Sequence, residues 1–564
     1  MKFKIALILS CVTFASSVSA TVATPPSTER AAANLAKAGP IESLDLSQLA
    51  DGIDDGALNS EAITAAYLAR IAAVDDSGPM LNAVIATFPD AMDQARAMDA
   101  ELRAGTYRGP MHGIPVLVKD NVEVAGPIAT TAGSLALAGN ITNRDAPLIA
   151  RLRAAGAELI ASAEPGWPQF RGPRRDGISD ERGMLEAWPE TGPRLLWKTG
   201  GLGKGFSSPV IAGGRLFITG DFGEEVRVLA FDLEGKPLWS VRNGDAWLNQ
   251  YQGARSSVAV RDGRVYHQNA HGRVVCLDAA TGAERWAVDL LKRYGGDNIT
   301  WGLSECVLVD DRAVYATAGG RDALLVAFDR LTGSELWRSE PLPVAGAEGG
   351  VDHAAYASPI LVRFAGRRLL IGTSLRNLYC ADADTGKLQW TRPRPTSYSV
   401  LAMMPVLVGD AVFMSAPHGP PGRLHRLIAP RAAGEPVGVE DLWTNPLDPC
   451  QGGVVHVAGR LYGAYYPARR GWAALDAATG QTLFEAPDLI KGAPLFADGR
   501  IHALSEDGTM LLLEPTDSKF EIRGRFRIPN TRGRDAWAHP VILDGRLYLR
   551  YHDTLYCHDV RAAR

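Results

Sequence analysis

The stretch LDAATGAERW, residues 277–286, decides the fold because it returns along the chain. It recurs as FDRLTGSELW at 328–337, ADADTGKLQW at 381–390 and LDAATGQTLF at 475–484, with a looser form, FDLEGKPLW, at 231–239. Each copy reads as an apolar strand ending at an Asp, a tight turn, and a second strand running to Trp or Phe. In the turn, glycine supplies the φ > 0 position while the Asp or Thr side chain bonds back to the backbone. The tryptophan has the size to fill a slot between stacked sheets.

A second phrase precedes each of these: apolar strand, polar turn, apolar strand. Copies begin at Ser208 (SPVIAGGRLFITG), Ser257, Glu305, Ser358, Met404, Gly453, Ala493 and His539 (HPVILDGRLYLRY). Gly-Arg turns between β-rich runs signal hairpins. Eight units of four strands, about 40 to 50 residues apart, match the size of propeller blades. The expected fold is mainly β: an eight-bladed β-propeller of four-stranded antiparallel blades. The last unit stops after its third strand, LYCHDV. RLLWKTG (194–200) carries a blade-ending Trp197 with no blade before it. It is expected to complete the last blade and join the two ends of the ring, which removes the exposed edges of a sheet. An open β-solenoid is the alternative.

The chain has 564 residues, with 59 Lys and Arg against 63 Asp and Glu, a formal charge of -4. That balance gives no support to nucleic-acid binding, which needs a concentrated basic face. The opening MKFKIALILSCVTFASSVSA places two lysines before a short apolar run and small residues before Ala20. It reads as a secretory signal over 1–20, which implies a periplasmic or secreted protein. A lipoprotein anchored through Cys11 is the alternative. No later segment is long and apolar enough to span a bilayer. Of the six cysteines, Cys276, Cys380 and Cys557 share one position of the repeat. That regularity points to packing in equivalent strands rather than pairing. Cys306 and Cys450 have no assignment from sequence.

GWPQFRGPRRDGIS (166–179), followed by LLWKTGGLGKGFSSPVIAGGRLF and the repeated Asp-x-x-Thr-Gly-x-x-x-Trp, resembles the PQQ-like propellers of the quinoprotein dehydrogenase fold. The resemblance covers about 400 residues. It implies PQQ and Ca²⁺ in the central funnel as one option, with an adjacent cysteine pair and an Asp base. No two cysteines are adjacent here, and no compact carboxylate cluster offers the six to eight oxygens that calcium takes. No cofactor and no metal are therefore expected, with PQQ and Ca²⁺ as the alternative. In a propeller the loops leading into the innermost strands gather around the central channel. Here they carry Trp247, Tyr251, Arg255, Trp301, Glu305, His353, Tyr356, Tyr398, Arg534, Asp535, Trp537 and His539. Aromatics with a few charges suit a ligand funnel. Packing between blades, with ion pairs across the hole, is the other reading.

Upstream, residues from about Ile41 to Ile160 read as helices with the short strand IPVLVK. A helix, APLIARLRAAGAELI, then leads to another strand. HGIPVLVKDN and TTAGSLALAG resemble the amidase signature family over about 120 residues. That resemblance makes Lys119 the general base of a Ser-Ser-Lys triad. The family pattern stops near Ile160, before the stretches that supply both serines. Ser207, Ser208 and Ser374 belong to propeller strands and lack the flanking glycines of an oxyanion loop.

The expected organisation is a signal peptide at 1–20, a linker at 21–40, an amidase-like α/β segment at 41–163 and the propeller at 164–564. The expected role is an exported, non-catalytic platform binding an unidentified small molecule or protein, with an orphaned Lys119. A PQQ-dependent dehydrogenase and an amidase are the alternatives. Cleavage after Ala20 gives a direct check: intact mass of the exported chain should place its N-terminus at Thr21, and a retained leader or a lipid on Cys11 would refute it.

Overall fold

The computed structural model describes residues 41, 44–74, 84–120, 122–126, 128, 130, 140–142, 144–163, 166–344, 350–432, 434–466, 469–529 and 531–562. The signal-like leader, Cys11 and most of TTAGSLALAG lie outside them. The chain divides into two compact units, Met1–Pro165 and Gly166–Arg564.

The first unit holds helices α1 (Leu46–Asp54), α2 (Ser60–Val74), α3 (Ala91–Arg103) and α4 (Pro147–Ala154), and strands β1 (Val84–Thr87), β2 (Pro115–Lys119) and β3 (Glu158–Ala163). Asp45 and Gln48 form a capping box on α1. Asn59 Oδ1 accepts the Ala62 N–H at 2.7 Å, and buried Asp99 of α3 accepts Ser60 N–H at 2.7 Å. These bonds satisfy the orphan donors at the start of α2. The strands pair in the order β1-β3-β2, with β2 parallel and β1 antiparallel to β3. Strand β1 corrects the sequence reading, which continued a helical pattern through MLNAVIATF. Val-Ile-Ala-Thr is rich in β-branched residues and finds an edge to pair with. Leu117 of β2 remains 42% exposed.

The second unit is the propeller. Among the described residues it holds eight four-stranded antiparallel sheets, spanning 210–245, 259–289, 308–338, 360–393, 406–445, 455–486, 492–527 and 541–559. We number them blades 1 to 8. Within each blade the strands lie in chain order, and the first strands of neighbouring blades pack together around the centre. Blade 8 takes its fourth strand, β4 (Leu195–Thr199), from the start of the unit, with Cys557 opposite Trp197. The ring is therefore closed, and the open solenoid is excluded.

The repeated turn does two jobs. In blade 2, Asp278 Oδ1 accepts the Ala280 and Thr281 N–H groups and the Thr281 hydroxyl at 2.9–3.1 Å; Asp329, Asp382 and Asp476 repeat the pattern. The glycine that follows stands at positive φ against the indole of the preceding blade. A Cβ on Gly333 would sit 2.6 Å from Trp286, and one on Gly282 would sit 2.8–2.9 Å from Val241 and Trp239. The same indoles donate Nε1–H to the carbonyl after the turn's Asp. Trp239 reaches Ala279, Trp286 reaches Arg330, Trp337 reaches Ala383, Trp443 reaches Ala477 and Trp197 reaches Leu233, all at 3.0–3.2 Å. One side chain thus packs on and hydrogen-bonds to the neighbouring blade.

The register explains three of the cysteines. Cys276 lies opposite Trp286, Cys380 opposite Trp390 and Cys557 opposite Trp197, each beside a β-bulge. Ala230, Ala327 and Ala474 hold the same place in other blades. A small side chain there leaves room for the ring. All five described cysteines are free thiols.

The rule lapses in blades 5 to 8: blade 6 ends in Phe484, blades 7 and 8 lack the Asp-x-x-Thr-Gly turn, and two lapses have a visible consequence. Blade 5 lacks the Asp-x-x-Thr-Gly turn, and buried Trp390 Nε1 in the blade before it has no hydrogen-bond partner among the described residues. Blade 7 has Gly524 where a tryptophan would stand, and Trp188, from the segment before the first blade, lies over it.

Gly333 (φ +72°) and Gly366 (φ +74°) separate the two demands on the turn glycine, because a Cβ on Gly366 meets nothing within 4 Å. Both alanine variants carry the left-handed strain of about 1–2 kcal/mol. Gly333→Ala should cost about 1–3 kcal/mol more, from the clash with Trp286. Urea unfolding of the two variants decides it, and equal losses would refute a packing role for the glycine.

Candidate functional site

The residue at the head of the inner strand links blade to blade in half of the ring; it is the first of the hairpin phrase in blades 1, 2, 4 and 8 and the second, Cys306 after Glu305, in blade 3. His539 N–H donates to Ser208 Oγ, Ser208 N–H to Ser257 Oγ and Cys306 N–H to Ser358 Oγ, each at 2.8 Å. Ser257 N–H reaches Cys306 Sγ at 3.2 Å. Cys306 therefore stands in a serine position of an inter-blade ring. In blades 5 to 7 the position falls to Met404, Gly453 and Ala493, which have no hydroxyl to offer. The ring is broken on that side.

The GWPQFRGPRRDGIS segment closes the channel beneath. Trp167 exchanges backbone bonds with Ile211 of blade 1, Pro168 O accepts Val260 N–H of blade 2, and Gly177 and Ser179 pair with Phe496 of blade 7, at 2.7–2.9 Å. Buried Arg175 donates to Cys306 O at 2.8 Å. Buried Arg171 Nη2 donates to Val454 O at 2.6 Å and to Asp176 O at 2.8 Å. Gly453 makes room for it, since a Cβ there would lie 2.5 Å from Arg171 Nη1. The guanidinium thus occupies the gap in the ring.

Above this plug lies a cavity of about 640 Å³. The structure brings Tyr251, Arg255, Trp301, Tyr356, Tyr398, Trp537 and His539 to its wall. Tyr251 and Tyr398 are more than half exposed at the mouth. The other sequence candidates stand elsewhere. Trp247 lies behind Arg255, whose guanidinium is 5.6 Å from its ring centroid. Glu305 is buried, with Oε1 accepting Thr317 N–H at 3.2 Å, and burial raises its pKa to about 7. His353 is half-buried off the wall, and Arg534 is exposed 3.5 Å from Asp535.

The wall also contains residues the sequence reading passed over. Glu506 Oε1 gathers Lys491 Nζ (2.9 Å), Gln451 Nε2 (2.9 Å) and Trp537 Nε1 (2.8 Å). Lys491 sits 3.8 Å from the Tyr466 ring centroid, and Phe206 stacks against Trp537 at 4.8 Å. Lys491 lies in the loop leading into blade 7, so the rule that selected the other loops would have found it. Phe170 and Arg171 were in plain view but had been read only as family markers. Glu506, His418 and Tyr466 follow second strands, whose loops share the same face.

Electrostatics and backbone set this region apart. Burial lowers Arg171 and Arg255 to about 10 and His539 to about 3, so His539 is neutral at physiological pH. Its Nε2 lies 3.2 Å from Gln451 O, which can only accept, so Nδ1 is left as a bare acceptor. Outside the strand hairpins, the non-glycine residues with positive φ gather at this cavity and its plug: Arg171, Arg175, Tyr251, Ser399, His418, Cys450 and Asp535. Such backbone strain collects at functional sites.

Lys119 ends strand β2 in the first unit, beside buried Asp120. The serines weighed against it are buried in the propeller. Ser207 Oγ is bonded by Thr219 N–H (3.2 Å) and by Arg550, and Ser374 Oγ donates to Asp352 at 2.6 Å.

Comparison with known proteins gives the two units separate relatives. Residues 62–164 match the Amidase family, and residues 178–319 and 224–435 match the PQQ_2 family, described as outer membrane protein assembly factor BamB. A putative amidase of Schizosaccharomyces pombe is 40% identical over 132 residues, covering 23% of this chain and 22% of that protein. Peptide amidase from Stenotrophomonas maltophilia is 48% identical, covering 22% of this chain and 25% of that one, with a TM-score of 0.21. The chain thus spans about a quarter of the length of these amidases. Quinohemoprotein alcohol dehydrogenase from Comamonas testosteroni shares the propeller fold at 14% identity, covering 71% of this chain and 81% of that one, with a TM-score of 0.50. The chain joins an amidase-signature segment to a PQQ-like eight-bladed β-propeller.

Proposed function

We propose that the propeller is an exported, non-catalytic binding platform whose ligand or protein partner enters the cavity above the plug. The amidase-like segment then retains only the base, Lys119, of its family's triad. The observation that carries this reading is the cavity itself, with aromatic walls, an ordered polar cluster at Glu506 and strained backbone around it. Cavities of this size and lining hold small molecules. The donor set does not suit PQQ with calcium. Glu506 is engaged by Lys491, Gln451 and Trp537, and the two cysteines on the wall, Cys306 and Cys450, belong to different blades. Export rests on the leader-like sequence. Among the described residues no helix is long and apolar enough to cross a membrane.

A thermal-shift screen of small metabolites on the full chain tests the reading. A ligand at 100 times its Kd should stabilise the propeller by about 2.7 kcal/mol, and Trp537→Ala should abolish the shift. Serine labelling by a fluorophosphonate that requires Lys119 would overturn the reading, as would alcohol-dependent dye reduction after loading with PQQ and Ca²⁺.

A further inference from the structure

The plug buries a cation whose charge is met by no carboxylate at hydrogen-bond distance among the described residues. Arg171 is 3% exposed and lines the cavity floor. Its Nη2 is spent on two backbone carbonyls, while Nε and Nη1 have no hydrogen-bond partner among the described residues. The nearest acidic side chain in sequence, Asp176, is held by Arg174 at 2.9 Å. A buried charge is costly, and two backbone carbonyls and the more distant Asp176 carboxylate relieve that cost only in part, leaving Nε and Nη1 unused. Nη1 lies beside Gly453 and His539, both of which line the cavity. The bare Nδ1 of His539 also lacks a partner. The floor thus presents one charged donor and one neutral acceptor side by side.

The rest of the wall has the same sign. Arg255 and Lys491 add two cations, and Glu506 is the one carboxylate among the lining residues. Arg255 spends its bonds on the Trp301, Tyr251 and Gly253 carbonyls; Asp221 behind it acts through space, and no carboxylate among the described residues is at hydrogen-bond distance. Between floor and mouth the surfaces are ring faces: Trp301 packs on Tyr356 at 5.8 Å, and Tyr251 on Trp537 at 5.5 Å.

We propose that the cavity takes a small amphipathic carboxylate, its acid group on Arg171 Nη1 at the floor and its apolar or aromatic body between the rings above. This deepens the platform reading and rests on it. The charge-assisted bond fixes depth and orientation, and the rings supply area. An amide or a protonated acid can donate to His539 Nδ1 but offers no charge to Arg171, and the charge-assisted bond is the stronger of the two, so the site discriminates by charge at constant shape.

The test is calorimetric titration of the full-length protein with 2-naphthoate and its neutral isostere 2-naphthamide. The naphthoate should bind about tenfold tighter or more, the range of one charge-assisted bond. Arg171→Gln should erase the preference while leaving naphthamide binding within about threefold, and Arg171→Lys should retain part of it. Lys491→Gln should leave the preference in place. Equal binding of the two probes by the wild type overturns the carboxylate assignment and leaves the platform reading standing. No binding of either probe likewise overturns the carboxylate assignment, and the platform reading is then decided by the metabolite screen. Loss of the preference in Lys491→Gln, with Arg171→Gln unaffected, moves the anion to the wall and refutes the role of Arg171. Should Arg171→Gln fail to give the β-sheet circular dichroism of the parent, Arg171→Lys and the wild-type probe pair decide the matter.

Discussion

The contact between an indole and the turn glycine of the next blade is what makes eight separate sheets one ring. A four-stranded sheet cannot bury both its faces alone. Here the last strand of one blade sends a tryptophan onto the next, where it packs flat on a glycine and donates to the adjacent carbonyl. The Asp and Thr side chains hold the turn in the only shape that presents both features. The small residue opposite the closing ring, cysteine or alanine in six of the blades (five facing an indole and one facing Phe484), completes the slot. Where the turn is missing, after Trp390, the indole loses its acceptor. Where the indole is missing, Trp188 is brought from outside the repeat.

The same logic of repetition and interruption produces the cavity. At the inner strands the side chains of Ser208, Ser257, Cys306 and Ser358 join blades 8 and 1 to 4, and blades 5 to 8 supply no such acceptor among the described residues. Gly453, the smallest of the residues that stand there instead, admits the Arg171 guanidinium. A symmetric ring would have a plain channel. This one has a floor with a charge on one side of it, rings around it and a mouth on the face where the inner strands begin.

The fold was legible because its signals are periodic. The Asp-x-x-Thr-Gly-x-x-x-Trp phrase carries turn, bulge and docking residue together, and Trp197 without a blade announced the ring closure. The cavity was legible only in part. Loops that lead into inner strands are identifiable from the repeat, and these gave Tyr251, Arg255, Trp301, Tyr356, Tyr398, Trp537 and His539. Glu506 and Tyr466 follow second strands, where one sequence shows no periodic signal. Arg171 lies outside the repeat altogether, and only its path across the channel makes it a wall residue. Strand β1 was missed because four residues between helices carry too short a pattern to outweigh their surroundings.

The closing strand and the plug also dictate an order of events. Residues 177–199 find their partners at 496–561: Ser179 on Phe496, Met184 beside Arg561, Trp197 opposite Cys557. These pairings span more than 300 residues, and loop closure of that length is among the slow steps of folding. During synthesis the plug and β4 emerge before any blade; Trp167 and Pro168 can join blades 1 and 2 as these form, but Gly177 and Ser179 wait for blade 7, and β4 waits for the last hairpin. Blades 1 to 7 form from local hairpins in the meantime, with an open centre and two bare edges. The ring closes into a single body, and the last anchors of its floor are set, only when the end of the chain returns to its beginning.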